Sequence, residues 1–248
     1  MHKTKAPVRV IAMLLAVVML AAMPPLASEA AQSQEAFLDF FINVMIPLIQ
    51  QMQKLMLQFE GGSPAVLPKI GISAGHGGNT GAYAGGVFED VKNLAMAQAV
   101  NSEFTARGYT TKMNRTDNSK CDKDTKLALY KAWGPDILLE FHYNSTAKGD
   151  GSASGLEVWY KDGNARGKKL AELLADRLSA AAGLRNRGAK SDKSVGGFYV
   201  CQSFPVAVLI ECAFLDNPDD VKKLDSAAAR QKFARAAADA VEEFLAMQ

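Results

Sequence analysis

Residues 69–78, KIGISAGHGG, join a short apolar run to a glycine-rich turn that contains His76. The apolar run has the length and composition of a buried strand, and glycines let the backbone turn tightly directly after it. In an open α/β sheet, ligands bind in the crevice outside the carboxyl ends of the strands. We therefore expect a strand near residues 69–74 and a binding crevice beside His76.

The alternation of apolar runs and helical stretches continues to the end of the chain. Further strands are predicted at 109–113, 137–144 (ILLEFHYN), 155–161 (GLEVWYK) and 206–214 (VAVLIECAF). Helices are predicted at 90–107, 122–133, 164–182 and 226–247, two of which are followed by Gly108 and Gly183. This pattern predicts an α/β fold with a mostly parallel or mixed central sheet flanked by helices, in a single domain over residues 67–248.

The first 30 residues have the pattern of a secretory signal peptide. Lys3, Lys5 and Arg9 precede the apolar run 10–22, and Ser28-Glu29-Ala30 supplies a small-x-small cleavage site. The run is shorter than the roughly 20 apolar residues of a membrane-spanning helix. We predict export and cleavage after Ala30, which places the protein in the extracellular space, cell wall or periplasm; an uncleaved anchor is the alternative.

Residues 31–66 are predicted to form an amphipathic helical segment and a linker. Apolar side chains recur in steps of three and four at positions 37, 41, 45, 48, 52, 55 and 59. Pro47 should kink or divide this helix, and the Gly-Gly-Ser-Pro sequence at 61–64 is typical of a linker. Residues 35–59 have three alternative roles. They could pack within the chain, for example as a cover over the active site, pack against a second copy, or lie on a membrane surface as a helix.

Charge and cysteine content exclude some classes of function. The chain has 28 Lys and Arg against 26 Asp and Glu, and removal of the predicted signal peptide leaves 25 of each. A neutral chain without a basic cluster gives no reason to expect nucleic-acid binding. Three cysteines without a C-x-x-C spacing do not indicate a disulfide scaffold or a metal knuckle. Cys201 and Cys212 lie in neighbouring segments, where a disulfide and buried free thiols are both compatible with the sequence.

The candidate chemistry rests on two histidines and two glutamates. His76 and His142 are the only histidines outside the predicted signal peptide, and both lie at predicted strand ends. Glu89 ends the glycine-rich loop, and Glu211 interrupts an apolar strand, where a carboxylate is rarely buried without a partner. Two imidazoles and one carboxylate around zinc leave a catalytic position open, and a further unligated glutamate is what metal-assisted hydrolysis requires.

Several short motifs occur in a fixed order through the domain. They are Gly75-His76-Gly77-Gly78, Glu89 with Asn93-Leu94, Asn114-Arg115-Thr116-Asp117, Glu140-Phe141-His142-Tyr143-Asn144, Arg187-Gly188, and Leu209, Glu211, Phe214 and Asn217. In this order they resemble the motifs of the zinc-dependent N-acetylmuramoyl-L-alanine amidases (amidase family 3) that act in cell division, sporulation and phage lysis. The resemblance covers residues 69–224.

The resemblance implies a role for each candidate residue. His76, Glu89 and His142 would hold one zinc ion, and Glu211 would be the catalytic acid and base. The substrate would be peptidoglycan, cut at the amide bond between N-acetylmuramic acid and L-alanine. A zinc peptidase that cuts the stem peptide and a catalytically silent wall-binding module are the alternatives.

The chain departs from the family pattern at Glu140, where serine is common. Glu140 could orient a metal ligand, compete as a ligand or face outward, since it lies two residues before His142 on one strand face. Ser73-Ala74 replaces a common Asp-Pro, and Asp90 replaces a common Lys.

Other polar and aromatic residues have two interpretations each. Asn93 could support Glu89 or be solvated, and Arg115 could contact substrate or form a salt bridge with Asp117. The aromatic residues could line a glycan groove, although core packing is favoured for most of them. They are Phe141, Tyr143, Trp159, Tyr160 and Phe198.

Overall fold

The computed structural model describes Met45 and residues 67–247. The predicted signal peptide and, apart from Met45, the predicted amphipathic segment lie outside the described residues. Residues 67–247 lie in the second of two units of the chain, Ala65–Gln248. Among the helices described, none is both long and apolar enough to cross a membrane.

Two sheets are present in the described part of the chain. The strands are β1 (Lys69–Ala74), β2 (Tyr83–Ala84), β3 (Val87–Phe88), β4 (Thr110–Met113), β5 (Ile137–Asn144), β6 (Leu156–Tyr160), β7 (Asn186–Ser191) and β8 (Ala207–Phe214). Six of them form the central sheet in the order β4-β1-β5-β8-β6-β7, and β2 and β3 form a small antiparallel ribbon.

The helices alternate with the strands of the central sheet. They are α1 (Glu89–Ala106), α2 (Lys123–Trp133), α3 (Ala165–Ala182), α4 (Tyr199–Ser203), α5 (Pro218–Leu224) and α6 (Ala227–Ala246), with a 3₁₀ helix at Asp192–Val195. Side chains of Asp122, Asn164 and Ser226 cap the N-termini of α2, α3 and α6. Gly134 and Gly183 end α2 and α3 in the left-handed conformation, where glycine is favoured.

The sheet confirms the predicted fold class. Strands β4, β1, β5 and β8 are parallel to one another, β6 runs antiparallel to β8, and β7 runs parallel to β6. The register places Ser73 beside Glu140 and His142 beside Glu211. Since paired residues on neighbouring strands point to the same face, these four side chains share one face of the sheet.

The two faces of the sheet are buried by different helices. Helices α1, α3 and α6 cover the first face, where Phe104, Leu174 and Phe233 pack against Leu139 and Ile210. A smaller cluster covers the second face and includes Tyr130 of α2 and Val200 of α4 with Leu138 and Leu209. Because side chains alternate along a strand, Glu140, His142 and Glu211 lie on this second face, next to α2 and α4.

Candidate metal centre and active site

The candidate site lies at the carboxyl ends of β1, β5 and β8. His76 follows β1 in the glycine-rich loop, His142 lies in β5, and Glu89 is the first residue of α1. The β2–β3 ribbon closes the loop onto the helix, where the amide of Glu89 donates to the carbonyl oxygen of Ala82 over 2.8 Å. Residues far apart in sequence thereby meet at one edge of the sheet.

His76, Glu89 and His142 form a cluster with the geometry of a metal centre. One ligand atom from each residue lies within 4.8 Å of the others. Glu89 Oε1 is 2.8 Å from His142 Nδ1, and Glu89 Oε2 is 3.2 Å from His76 Nε2. Two imidazole nitrogens and a carboxylate suit Zn²⁺ and leave further coordination positions for water or substrate. The structure therefore brings together the three predicted ligands.

Glycine is required at two positions around this cluster. A β-carbon on Gly75 would lie 2.3 Å from the His142 ring, and one on Gly81 would lie 2.6 Å from Glu89 Oε2. His76 itself adopts φ 56°, in the left-handed region that non-glycine residues rarely occupy. Such strain costs on the order of 1–3 kcal/mol and is concentrated at functional sites, which is consistent with a ligand role for His76.

Glu89 is held in place by three neighbouring groups. The Asn93 side chain donates to Glu89 Oε1 over 3.1 Å, the amide of Tyr143 donates to the same oxygen over 3.3 Å, and the amide of Ala82 donates to Oε2 over 3.0 Å. Asn93 is fully buried and also donates to the carbonyl oxygen of Gly75 over 3.2 Å. Its supporting role is confirmed, and the solvated alternative is wrong.

The electrostatics of the cluster favour a charged carboxylate. Burial raises the pKa of Glu89, but hydrogen bonds and charge interactions with His142 and His76 outweigh it and hold the pKa well below its ordinary value. Burial lowers the pKa of His142, but the carboxylates of Glu140 and Glu89 outweigh that effect and raise it to about 10. The two glutamates thus provide the negative charge that a divalent cation needs.

Glu211 lies next to the cluster without belonging to it. It is the register partner of His142 on the neighbouring strand and is half-buried. Within the described residues, its buried Oε2 atom has no hydrogen-bond partner. Burial is the main cause that raises the pKa of Glu211 to about 8; His142 opposes this rise, and neighbouring carboxylates add to it. A carboxyl group with a strongly raised pKa beside a metal centre is a candidate for proton transfer.

Glu140 is fully buried, so the outward-facing alternative is wrong. Its Oε1 atom forms an ion pair with Lys126 and accepts hydrogen bonds from Tyr199 Oη (3.0 Å) and Ser73 Oγ (3.1 Å). Burial raises the pKa of Glu140, but Lys126 and His142 outweigh it and hold the pKa well below its ordinary value. The carboxylate is therefore charged and is held by Lys126, Tyr199 and Ser73 next to His142.

Asp90, another departure from the family pattern, and Arg115 stabilise the glycine-rich loop. Asp90 is fully buried, and its carboxylate accepts from the amides of Asn79 (2.6 Å) and Thr80 (3.2 Å). The buried Arg115 donates to the backbone carbonyls of Gly75 (2.9 Å) and Asp90 (2.7 Å). It also donates to the backbone carbonyl of Asp117 rather than to its carboxylate. Arg115 therefore stabilises the glycine-rich loop. Neither of its two predicted roles, a substrate contact and a salt bridge with Asp117, included this function.

A cleft with a volume of about 230 Å³ opens onto the two histidines. Its other wall is formed by residues 120–123, Lys126 and Tyr199. Lys126 and Tyr199 were not among the candidates from sequence. Their contacts with Glu140 depend on how α2 and α4 pack against β5, and no local motif marks them.

Two other hydrolase types are not supported by the geometry. Gly71-Ile72-Ser73-Ala74-Gly75 matches the G-x-S-x-G pattern of serine hydrolases, but Ser73 lies buried inside β1 and donates to Glu140. Cys201 and Cys212 are buried free thiols, and burial raises the pKa of both. Neither Ser73 nor these two cysteines is presented as a nucleophile. Cys201 and Cys212 do not form the disulfide that was compatible with the sequence, since both are free thiols.

The aromatic candidates belong mainly to the core. Phe141, Tyr143 and Trp159 are buried, and Trp159 packs edge-on against Phe198. Tyr160 is partly buried against the main cluster. Core packing is therefore confirmed for most of them.

Comparison with known proteins gives the family. The model of the N-acetylmuramoyl-L-alanine amidase family matches residues 70–243, which include the whole candidate site. The chain belongs to this family. Its predicted membership is confirmed, and the family is one of cell-wall hydrolases. The departure at Glu140 is accommodated inside the same fold.

Individual relatives agree with this assignment. The chain is 32% identical to N-acetylmuramoyl-L-alanine amidase LytC of Bacillus subtilis (strain 168), over 71% of this chain and 35% of that protein. It is 30% identical to the uncharacterized protein YqiI of the same organism, over 75% of this chain and 88% of that protein. The chain thus spans about a third of LytC and most of YqiI.

A solved structure confirms the fold. The N-acetylmuramoyl-L-alanine amidase from Clostridium difficile 630 superposes with a TM-score of 0.66 at 24% identity, over 73% of this chain and 98% of that chain. At this identity the likeness concerns the fold alone.

Proposed function

We propose that this protein is a zinc-dependent N-acetylmuramoyl-L-alanine amidase that hydrolyses the amide bond between N-acetylmuramic acid and L-alanine in peptidoglycan. The observation that carries the proposal is the His76, Glu89 and His142 cluster, which has the unpaired Glu211 carboxyl beside it. The family match over residues 70–243 supplies the substrate class.

The ligand set fits a single zinc ion. Its donor atoms are two imidazole nitrogens and one carboxylate oxygen, and Gly75 and Gly81 leave the space that these side chains need. When bound, zinc supplies a water of lowered pKa, from 15.7 to about 7, and polarises the substrate carbonyl. Asn93 fixes the orientation of Glu89, as hydrogen-bonded neighbours of metal ligands commonly do.

Glu211 is proposed as the general acid and base. Its carboxylate would accept a proton from the attacking water and then donate it to the departing amide nitrogen. Both transfers need a carboxyl group that protein donors do not saturate, and among the described residues the buried Oε2 atom of Glu211 has no hydrogen-bond partner. A general acid and base of this kind contributes about 10²–10⁴-fold to the rate.

A zinc peptidase would use the same ligands and the same glutamate, so the site geometry alone does not separate the two reactions. The family match favours the amidase. A wall-binding module without activity would have no use for an unpaired Glu211 next to three metal ligands.

The product of the reaction tests the proposal. The full chain is incubated with peptidoglycan, with and without a zinc chelator, and the products are identified by mass spectrometry. Free stem peptides that begin with L-alanine, lost on chelation and restored by zinc, are expected. Shortened stems still attached to muramic acid would show a peptidase instead, and binding without products would show a silent module.

Export remains a proposal that rests on residues 1–30. N-terminal sequencing of protein from the culture fluid or cell wall should begin at Ala31. Protein that begins at Met1 would contradict cleavage.

The role of residues 35–59 also remains a proposal, with the intramolecular, self and membrane-surface contacts as its three forms. If the segment covers the active site, deletion of residues 31–60 should raise turnover of soluble muropeptides. Unchanged or lower turnover would contradict a cover.

A further inference from the structure

A buried ion pair lies next to His142 of the candidate metal centre. Glu140 is fully buried and Lys126 is 2% exposed, and the Lys126 ammonium contacts Glu140 Oε1. Removing two charges from water costs several kcal/mol per ion, so such a pair is weak evidence for stability.

The carboxylate of Glu140 faces the imidazole of His142. The two ring nitrogens of His142 have different neighbours: Nδ1 lies 2.8 Å from Glu89 Oε1, and Nε2 lies 3.8 Å from Glu140 Oε1. Nδ1 therefore points into the ligand cluster, and Nε2 points towards the buried ion pair. A histidine can offer only one lone pair to a metal, and its other nitrogen must then hold the proton.

We propose that Glu140 is a positioning residue that keeps the proton of His142 on Nε2 and so presents the Nδ1 lone pair to the metal. The inference rests on the metal site of the proposed function. A negative charge near the outer nitrogen stabilises that tautomer, restricts ring rotation and increases the basicity of the ligand. Lys126 and Tyr199 hold the carboxylate in place, so the arrangement is built from β5, α2 and α4.

The matching cation for Glu140 is supplied from α2 by Lys126, while Ser73 of β1 donates to the same oxygen over 3.1 Å. Glu140 itself is outside the group of residues whose ligand atoms could share one metal ion, within the part of the chain described. It acts on the metal through His142 and not as a ligand.

Zinc affinity tests the proposal directly. The full-length protein and its Glu140→Gln variant are stripped of metal, and zinc affinity is measured by competition with a chromophoric chelator. Glutamine keeps the shape of the side chain and removes its charge, so a 10–100-fold weaker zinc affinity is expected. Glu103→Gln is the matched control: Glu103 is also buried and paired with Arg107, but it lies at the far end of α1.

Glu140→Gln leaves Lys126 buried without its counterion and could therefore weaken zinc binding by destabilising the fold. A second variant separates this effect from the loss of the Glu140 charge. The double variant Glu140→Gln, Lys126→Met removes both charges and should show the same 10–100-fold loss with a cooperative unfolding transition. Zinc affinity within twofold of the wild type in the double variant would overturn the proposal. X-ray absorption spectra should show the same zinc ligands in wild type and variant, and loss of an oxygen ligand in Glu140→Gln would also overturn it.

These readouts are separable from the amidase proposal. If the wild type binds zinc but releases no stem peptides, the proposed reaction fails, while the affinity difference between wild type and Glu140→Gln still tests the positioning role.

Discussion

Gly75 lies against the face of the His142 imidazole, so closely that a β-carbon on Gly75 would be 2.3 Å from the ring. Two segments 67 residues apart in sequence therefore have no room for a side chain between them. We predict that Gly75→Ala displaces His142 from the ligand cluster, because a methyl group cannot be accommodated at that distance. Zinc content after purification should fall well below one ion per chain, and muropeptide turnover should fall with it.

Gly167→Ala is the matched control for this substitution. Gly167 lies in the first turn of α3, where an added β-carbon would lie 3.3 Å from the Asn164 side chain, a contact that a shift of a few tenths of an ångström relieves. Full zinc occupancy in both variants would contradict the close packing of Gly75 on His142.

Metal binding should stabilise the fold, because the ligands come from a loop, a helix and a strand that separate on unfolding. At a free zinc concentration 100 times the dissociation constant, the gain is about 2.7 kcal/mol. For a domain of this size, that corresponds to a rise in melting temperature of about 5–10 °C, measurable by calorimetry with and without a chelator.

The zinc-dependent rise in melting temperature should disappear in Glu89→Gln and persist in Glu103→Gln. Both changes remove a buried carboxylate from α1, but only Glu89 contacts the two histidines. An equal rise in both variants would show that zinc binds elsewhere.

Glu157 should make stability depend on pH. Burial raises its pKa, but hydrogen bonds with Lys190 and Arg187, each 2.6 Å long, outweigh it and lower the pKa below 4.5. Since the folded state holds the proton less tightly than the unfolded chain, the contribution is complete above about pH 4.5 and is lost as the pH falls through the lowered pKa.

We therefore expect Glu157→Gln to destabilise the metal-free protein by about 1–3 kcal/mol at pH 7 and by progressively less towards pH 3. Urea unfolding across this range measures the difference. Glu172→Gln is the control, because Glu172 pairs only loosely, at 3.8 Å, with the exposed Lys168. A constant difference between wild type and Glu157→Gln from pH 7 to pH 3 would contradict the lowered pKa.

Strands β5 and β8 were predictable because they contain continuous apolar runs. ILLEFHYN and VAVLIECAF are buried on both sides, which is the pattern of central strands in a covered sheet. Strand β7, NRGAKS, was missed because it has neither an apolar run nor the β-branched residues of the predicted edge strand β4, TTKM. Helices α4 and α5 were missed because five and seven residues are too few to show a helical period.

The site residues that could be predicted from the sequence are those whose residue type is rare in the chain or unusual in its surroundings. Only two histidines follow the predicted signal peptide, and a glutamate inside an apolar strand is unusual, so His76, His142 and Glu211 stood out. Lys126 and Tyr199 did not, because they reach Glu140 across 14 and 59 residues of sequence. Such contacts depend on the packing of helices onto the sheet, which local patterns do not specify.

The role of Glu211 is the central claim, and the Glu211→Gln variant tests it most directly. Turnover of a defined muropeptide and bound zinc are measured in the same preparations of wild type, Glu211→Gln and the control Glu103→Gln. We predict that Glu211→Gln keeps one zinc ion per chain and loses about 10²–10⁴-fold in kcat, while Glu103→Gln keeps both zinc and turnover. A Glu211→Gln protein that still releases stem peptides at the wild-type rate would contradict the account.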